Sequence, residues 1–297
     1  MGNREIFKGF FENDSLWVKA VFIALIPLVF SIFFLVLNYG MMSLFDVTDE
    51  VMTLKLSQLF SATGMFICAS FALAYLLSRN VREFLSLRKS SGMVLVLVIL
   101  NMWVAVPMIN LIGELNDQIT FPEALKSLEE ALRAYEEKIG NLTKLLLTSS
   151  DSFGGLLLNL LIMAVIPAFG EEFLFRGVIQ KSLEKHLANK LPAVWITAFL
   201  FSAVHFQFYG FIPRLLLGAY FGYLLIWSKS IWVPIVAHFI NNATIVLFHF
   251  FVKEKNSGFD PERIGIEGSP LWIIGSILLF TLFTIVIWKS KQVENRK

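Results

Sequence analysis

Charge is scarce in this chain and cysteine nearly absent, and each shortage excludes a class of protein. Asp, Glu, Lys and Arg make up 16% of the 297 residues, against 56% hydrophobic. A soluble globular chain is nearer about 25% charged. The one cysteine, Cys68, lies in an apolar run, so no disulfide framework is possible within a single chain. The net charge of +2 comes with no basic cluster, which leaves no footprint for nucleic acid. No internal repeat, low-complexity tract or His-Glu-x-x-His motif occurs. A cleavable signal peptide is not expected: the first apolar run is too long and lacks a small-residue cleavage site, so it reads as a retained span.

What the chain has instead is long apolar runs, rich in its 30 phenylalanines. In lipid every backbone polar group must be satisfied internally, so such runs read as membrane-spanning helices. We place eight, at about 18–40, 57–78, 93–113, 154–180, 191–208, 212–228, 231–252 and 270–288. The expected fold is all-α and polytopic, a single membrane domain over 1–297. Its expected parts are three spans in 1–113, an external helix in 114–153, core spans in 154–252, and a last span with tail in 253–297.

Orientation follows from where Lys and Arg fall. They gather in the N-terminus (Arg4, Lys8, Lys19), after span two (Arg79, Arg82, Arg88, Lys89), and after span four (Lys181, Lys185, Lys190). They recur after span six (Lys229) and in the tail (Lys289, Lys291, Arg296, Lys297). These segments alternate as an even number of spans requires, so all are expected in the cytoplasm with both termini. The connection 114–153 holds eight acids against four bases and is expected outside. Within it Thr120-Phe-Pro-Glu123 reads as a capping box. Leu125, Leu128, Leu132, Tyr135, Ile139, Leu142 and Leu146 then recur at helical spacing, an amphipathic helix on the outer surface or an external mouth.

An ionisable side chain inside a span costs roughly 2.5–3.5 kcal/mol on insertion scales, so it persists when paired, wet or chemically used. Such residues occur in three spans: Glu171, Glu172 and Arg176; His205; and His238 with Asn242. Counting from the cytoplasmic ends puts Glu171, His205 and His238 roughly 14, 16 and 12 Å deep, near one level. Glu171 and Glu172 point about 100° apart and cannot share a target. Glu172 and Arg176 are i, i+4 with the acid first, the favourable order for a pair. Glu171 is left without a local cation and suits general acid–base work. Pro167 predicts a kink beside it. Gly218, Ala219 and Gly222 read as a packing face. Taken singly, an intramembrane His or a Glu–Arg pair is commonly structural, and His186 and His249 are read that way. Six polar side chains at one level argue for a site.

Those residues fall in the motifs Glu171-Glu172-x-x-x-Arg176, Phe201-x-x-x-His205 and His238-x-x-x-Asn242. In this order, each in an apolar segment, they resemble the CPBP family of intramembrane proteases, which groups CAAX proteases with bacteriocin-processing and immunity proteins. The resemblance covers roughly 155–250. It implies an eight-helix fold, a cavity open toward the cytosol, and peptide-bond hydrolysis on a membrane-associated, prenylated or leader peptide. It further implies that Glu171 activates water with help from His205, that His238 and Asn242 stabilise the oxyanion, and that Glu172 and Arg176 hold the geometry. Glu171, His205 and His238 could instead hold a zinc with water in the fourth position, and the sequence leaves both mechanisms open. A bacterial cytoplasmic membrane is the expected location. The alternatives are a non-catalytic immunity or binding protein, and a transporter with a Glu/His relay; no inverted repeat supports the transporter.

Overall fold

The computed structural model of the protein describes residues 7–149, 152–252, 263–266 and 269–294. The cationic cues Arg4, Arg296 and Lys297 lie outside them. Helices run over Leu16–Leu44 (α1), Glu50–Leu77 (α2), Gly92–Asp117 (α3), Lys126–Thr148 (α4), Phe153–His186 (α5), Lys190–Ala203 (α6), Phe211–Ser228 (α7), Trp232–Val252 (α8) and Leu271–Glu294 (α9). Seven of these, all but α4 and α6, are long and apolar enough to cross a membrane. The protein is an integral, multi-pass membrane protein.

The fifth expected span is corrected. Helix α6 has 14 residues, about 21 Å at the helical rise, short of a hydrocarbon core of about 30 Å. It ends at Ala203, and the chain turns through 204–210 before α7. Phe206 sits at φ +54°, a left-handed conformation that breaks the helix. The apolar run had extended to 208 because Val204, Phe206 and Phe208 are turn residues with apolar side chains; Val204 and Phe206 face outward, 48% and 76% exposed. His205 therefore lies in the turn that follows α6, not inside a helix.

The amphipathic helix α4 is present, with its capping corrected. A 3₁₀ turn over Glu123–Leu125 precedes it. The Phe121 N–H donates to Glu129 Oε2 at 3.1 Å, and Arg133 Nε donates to Glu129 Oε1 at 3.2 Å. Pro122 sends the chain in extended before the turn, so Glu129, one turn into α4, reaches back where Glu123 was expected to. Leu125, Leu128, Tyr135 and Leu142 along its apolar face remain exposed on the protein, as a helix resting on a membrane surface requires.

The two ends of the bundle are distinct. At one end the segment 7–15 binds the end of α2 (Gly9 N–H to Tyr75 O, 2.8 Å). The connection 78–91 binds the start of α8 (Ile231 N–H to Ser86 O, 3.0 Å), and Lys185 lies 5.0 Å over the Phe84 ring. The expected cytoplasmic cations thus share one end. At the other, Asn116 donates to Phe208 O (3.1 Å) and accepts from the Ile212 N–H (2.8 Å). There Glu136 of α4 accepts from the Tyr209 N–H at 2.8 Å. Between these ends α2, α5 and α6 share one apolar core through Leu73, Leu77, Phe175, Val178 and Phe201, and α3, α7, α8 and α9 share a second through Val98, Met102, Phe221, Leu224, Ala237 and Ile287.

Candidate active site

Helix α5 is wound irregularly where it carries the acidic pair. A π-type stretch over Leu161–Val165 precedes Pro167 and a second runs over Glu172–Gln180; Glu171 ends the short α-helical stretch between them and borders the second wide turn. Pro167 lacks an N–H and cannot complete the ladder. Wide turns of this kind are frequent at functional sites.

Glu172 and Arg176 are both wholly buried, and their i, i+4 pair forms, with Arg176 Nη1 donating to Glu172 Oε1 at 2.9 Å. Arg176 Nη2 donates to the Gly218 carbonyl at 2.9 Å, and the guanidinium lies 4.5 Å from the Phe201 ring centroid. Gly218 has no room for more: a Cβ there would stand 3.0 Å from Phe201 Cδ1 and 3.3 Å from Ala198 Cα. The packing face is real, and it also delivers a carbonyl to Arg176.

The same Glu172 Oε1 lies 2.8 Å from His238 Nδ1. A carboxylate paired with Arg176 accepts, so Nδ1 carries the hydrogen. That directs Nε2 into the cavity, 3.9 Å from Glu171 Oε2. The Phe221 ring stacks on the imidazole at 5.3 Å. His205 is oriented likewise: its Nδ1 lies 2.8 Å from the Phe201 carbonyl, which can only accept, so its Nε2 is the free acceptor. Phe201 touches both imidazoles edge-on, at 5.3 Å from His205 and 5.9 Å from His238.

Asn242 follows His238 by one turn, as its spacing required. Its Oδ1 accepts from Asn241 Nδ2 at 3.1 Å, which leaves its own amide hydrogens for the cavity. Glu171, His205, His238 and Asn242 all line one cavity of about 730 Å³. Glu172 and Arg176 lie behind its wall. All six residues singled out from sequence are therefore brought together, four at the surface of the cavity and two as its support.

Sequence reasoning missed Asn241, Phe221 and Arg214. Arg214 lines the cavity in α7 and donates to Gln207 Oε1 at 2.9 Å. The rule that flagged Glu171 applies to it equally, since it is an arginine inside an apolar run. Asn241 carries no motif signal beyond standing next to Asn242.

Two expectations meet the geometry differently. Among the described residues no three His, Cys, Asp or Glu side chains are grouped so as to hold a metal ion. Of the expected zinc ligands, Glu171 Oε2 and His238 Nε2 stand 3.9 Å apart, and His205 lines the same cavity. The cavity, moreover, runs from Glu171 and His238 toward Asp117 of α3, Glu136 of α4, and Tyr209 and Gly210 of the turn. It opens at the end bearing α4, opposite the cationic loops. A cytosol-facing cavity and a cytoplasmic location for those loops cannot both hold.

Residues 153–244 match the sequence model of the family described as type II CAAX prenyl endopeptidase, Rce1-like. This segment is similar to Rce1-like domains. It contains every one of the six site residues. Two relatives from Bacillus subtilis (strain 168) are similar. The uncharacterized protein YpbD is 29% identical over 89 residues, 29% of this chain and 42% of its own length. The uncharacterized protein YyaK is 27% identical over 162 residues, 50% of this chain and 53% of its own length. The matches thus span about half or less of each relative. No solved structure matches the chain.

Proposed function

We propose that the protein is an intramembrane endopeptidase of a bacterial cytoplasmic membrane that hydrolyses a peptide bond in a membrane-associated protein or peptide. The observation that carries this reading is Glu172 Oε1 bridging Arg176 and His238, which turns the free nitrogen of His238 toward Glu171 inside a cavity. A buried carboxylate that fixes an imidazole's tautomer is a recurring device of acyl-transfer sites.

In the proposed reaction Glu171 takes a proton from water while Nε2 of His205 accepts the water's second hydrogen and aims its lone pair. The oxygen attacks the scissile carbonyl carbon, and the carbonyl electrons move onto its oxygen. Asn242 donates an amide hydrogen to that oxyanion, and His238, its Nδ1 hydrogen kept on Glu172, is the second group at the oxyanion, donating when Nε2 carries a hydrogen. Donors fixed in advance around developing charge are commonly the largest rate term. Collapse breaks the C–N bond, and Glu171 returns its proton to the leaving amine. No step is routed through a metal. The Bacillus origin of both relatives supports the location.

The test is a library of membrane-anchored peptides, including prenylated C-termini, offered to the purified protein in proteoliposomes with mass-spectrometric mapping of products. Wild type is expected to cleave, with and without chelator, and Glu171→Gln and His205→Ala are not. A biological effect that survives both substitutions would instead mark a binding or immunity protein.

A further inference from the structure

We infer that the cavity opens on the extracytoplasmic side of the membrane and takes its peptide from there, as an extended segment of a membrane-anchored protein exposed outside the cytoplasm. The cleavage part rests on the proposed peptidase; the orientation does not.

The lining residues order themselves along the helices. On α8 the cavity is met at His238, then Asn242, then Ile245, moving away from the cationic end. On α7 it is met at Pro213, Leu217 and Phe221, moving toward that end. Glu171, His238 and Phe221 are the floor. Asp117, which is exposed, and Glu136 are at the rim.

Below the floor the protein is closed. Arg176 and Gln180 are wholly buried and Phe221 is 1% exposed. Gln180 Nε2 is bound both to the Gly222 carbonyl (3.3 Å) and to Glu184 (2.9 Å). This plug of side chains lies between the reacting groups and the cationic end.

The charges then decide which end is which. The connection 78–91 holds four Lys and Arg, Lys181 and Lys185 lie in the last turns of α5, Lys190 opens α6 and Lys229 follows α7, all at the closed end. Cations close to span ends stay in the cytoplasm. Toward the rim end four cations lie on α4, where Arg133 is bound to Glu129 and Asp117 and Lys126 faces Glu129; the sequence after α8 adds Lys253, Lys255 and Arg263, outnumbered by Glu254, Asp260, Glu262 and Glu267. The apolar face of α4 is left for the outer membrane surface beside the mouth, where a segment leaving the outer leaflet would enter.

Single cysteines test this in a Cys68→Ala background. Asp117→Cys and Thr120→Cys report the rim, and Lys89→Cys reports the closed end; all three positions are exposed. In intact cells a membrane-impermeant maleimide is expected to label either rim cysteine, and to label Lys89→Cys only after permeabilisation. The reverse pattern overturns the inference. In the second arm a lipid-anchored peptide is added to right-side-out and inverted membrane vesicles. Cleavage above the Glu171→Gln background is expected only in right-side-out vesicles, and cleavage only in inverted vesicles overturns the inference. If the rim labels from outside but neither preparation cleaves, the orientation is upheld, and the peptidase reading fails together with the substrate half of the inference.

Discussion

Arg176→Met is the most informative single perturbation of the buried network. The guanidinium is wholly buried, bonds Glu172 Oε1 and Gly218 O at 2.9 Å each, and lies over Phe201. Methionine keeps much of the volume and removes the charge. Glu172 would then be a carboxylate with no exposure, one hydrogen bond left to His238, and an Oε2 that already has no partner among the described residues. Removing one member of a buried ion pair costs about 3–5 kcal/mol, mostly for the charge left behind. Changing Glu172→Gln in the same molecule removes that charge, so the double variant should lose only hydrogen bonds, about 1–3 kcal/mol. The two substitutions should therefore be strongly non-additive, with a coupling of about 2 kcal/mol or more. Unfolding in mixed micelles by titration with a denaturing detergent measures wild type, both single variants and the double. Additivity within about 0.5 kcal/mol would refute the idea that Arg176 chiefly neutralises Glu172. Activity should be lost in all three variants, because each disturbs the acceptor that orients His238.

Five further outcomes are expected. Glu171→Gln should reduce peptide cleavage by at least about 10²-fold, the usual scale of a general base, with the unfolding midpoint held near wild type; an active Glu171→Gln enzyme ends its role as base. Asn242→Ala should lower kcat by about 10²–10³-fold with KM little changed, as loss of one oxyanion donor does. Asn241→Ala, which removes the donor to Asn242 Oδ1, should cost less, and a loss equal to that of Asn242→Ala would contradict this. Gly218→Ala should destabilise by about 1–3 kcal/mol through its contact with Phe201, read in the same detergent titration. Finally, the Phe121 N–H and then Arg133 hold the Glu129 carboxyl below the usual glutamate range. A depressed folded pKa gives stability that is present above the unfolded value and lost as pH falls through the folded one. Hydrogen exchange at the Phe121 amide should stay slow at neutral pH and quicken only below the ordinary glutamate range, and Glu129→Gln should abolish that acid step.

Much of the site was legible because intramembrane polarity is costly and therefore sparse. Glu172 and Arg176 could be paired from their spacing alone, and His238 and Asn242 placed on one face. The third partner of Glu172 was not legible: His238 is 66 residues away, and only the packing of α5 against α8 brings it to 2.8 Å. Hydropathy failed at 204–208, where apolar side chains face outward from a turn and conceal a helix end. It could not say which end of the bundle the cavity meets, because Glu171 and His238 lie between the two ends and a residue's depth does not tell which neighbours leave space. At α4 the acid with the capping spacing was Glu123, but the backbone N–H went to Glu129, which a local motif does not foresee.

The most direct measurement of the central proposal is an experimental structure at a resolution that shows ordered water, with anomalous scattering recorded across the zinc edge. A water is expected within hydrogen-bond reach of both a Glu171 carboxylate oxygen and Nε2 of His205, facing the Asn242 amide, with no anomalous peak. A metal ion bound by Glu171, His205 and His238, or a dry floor with Asn242 turned from the cavity, would contradict it.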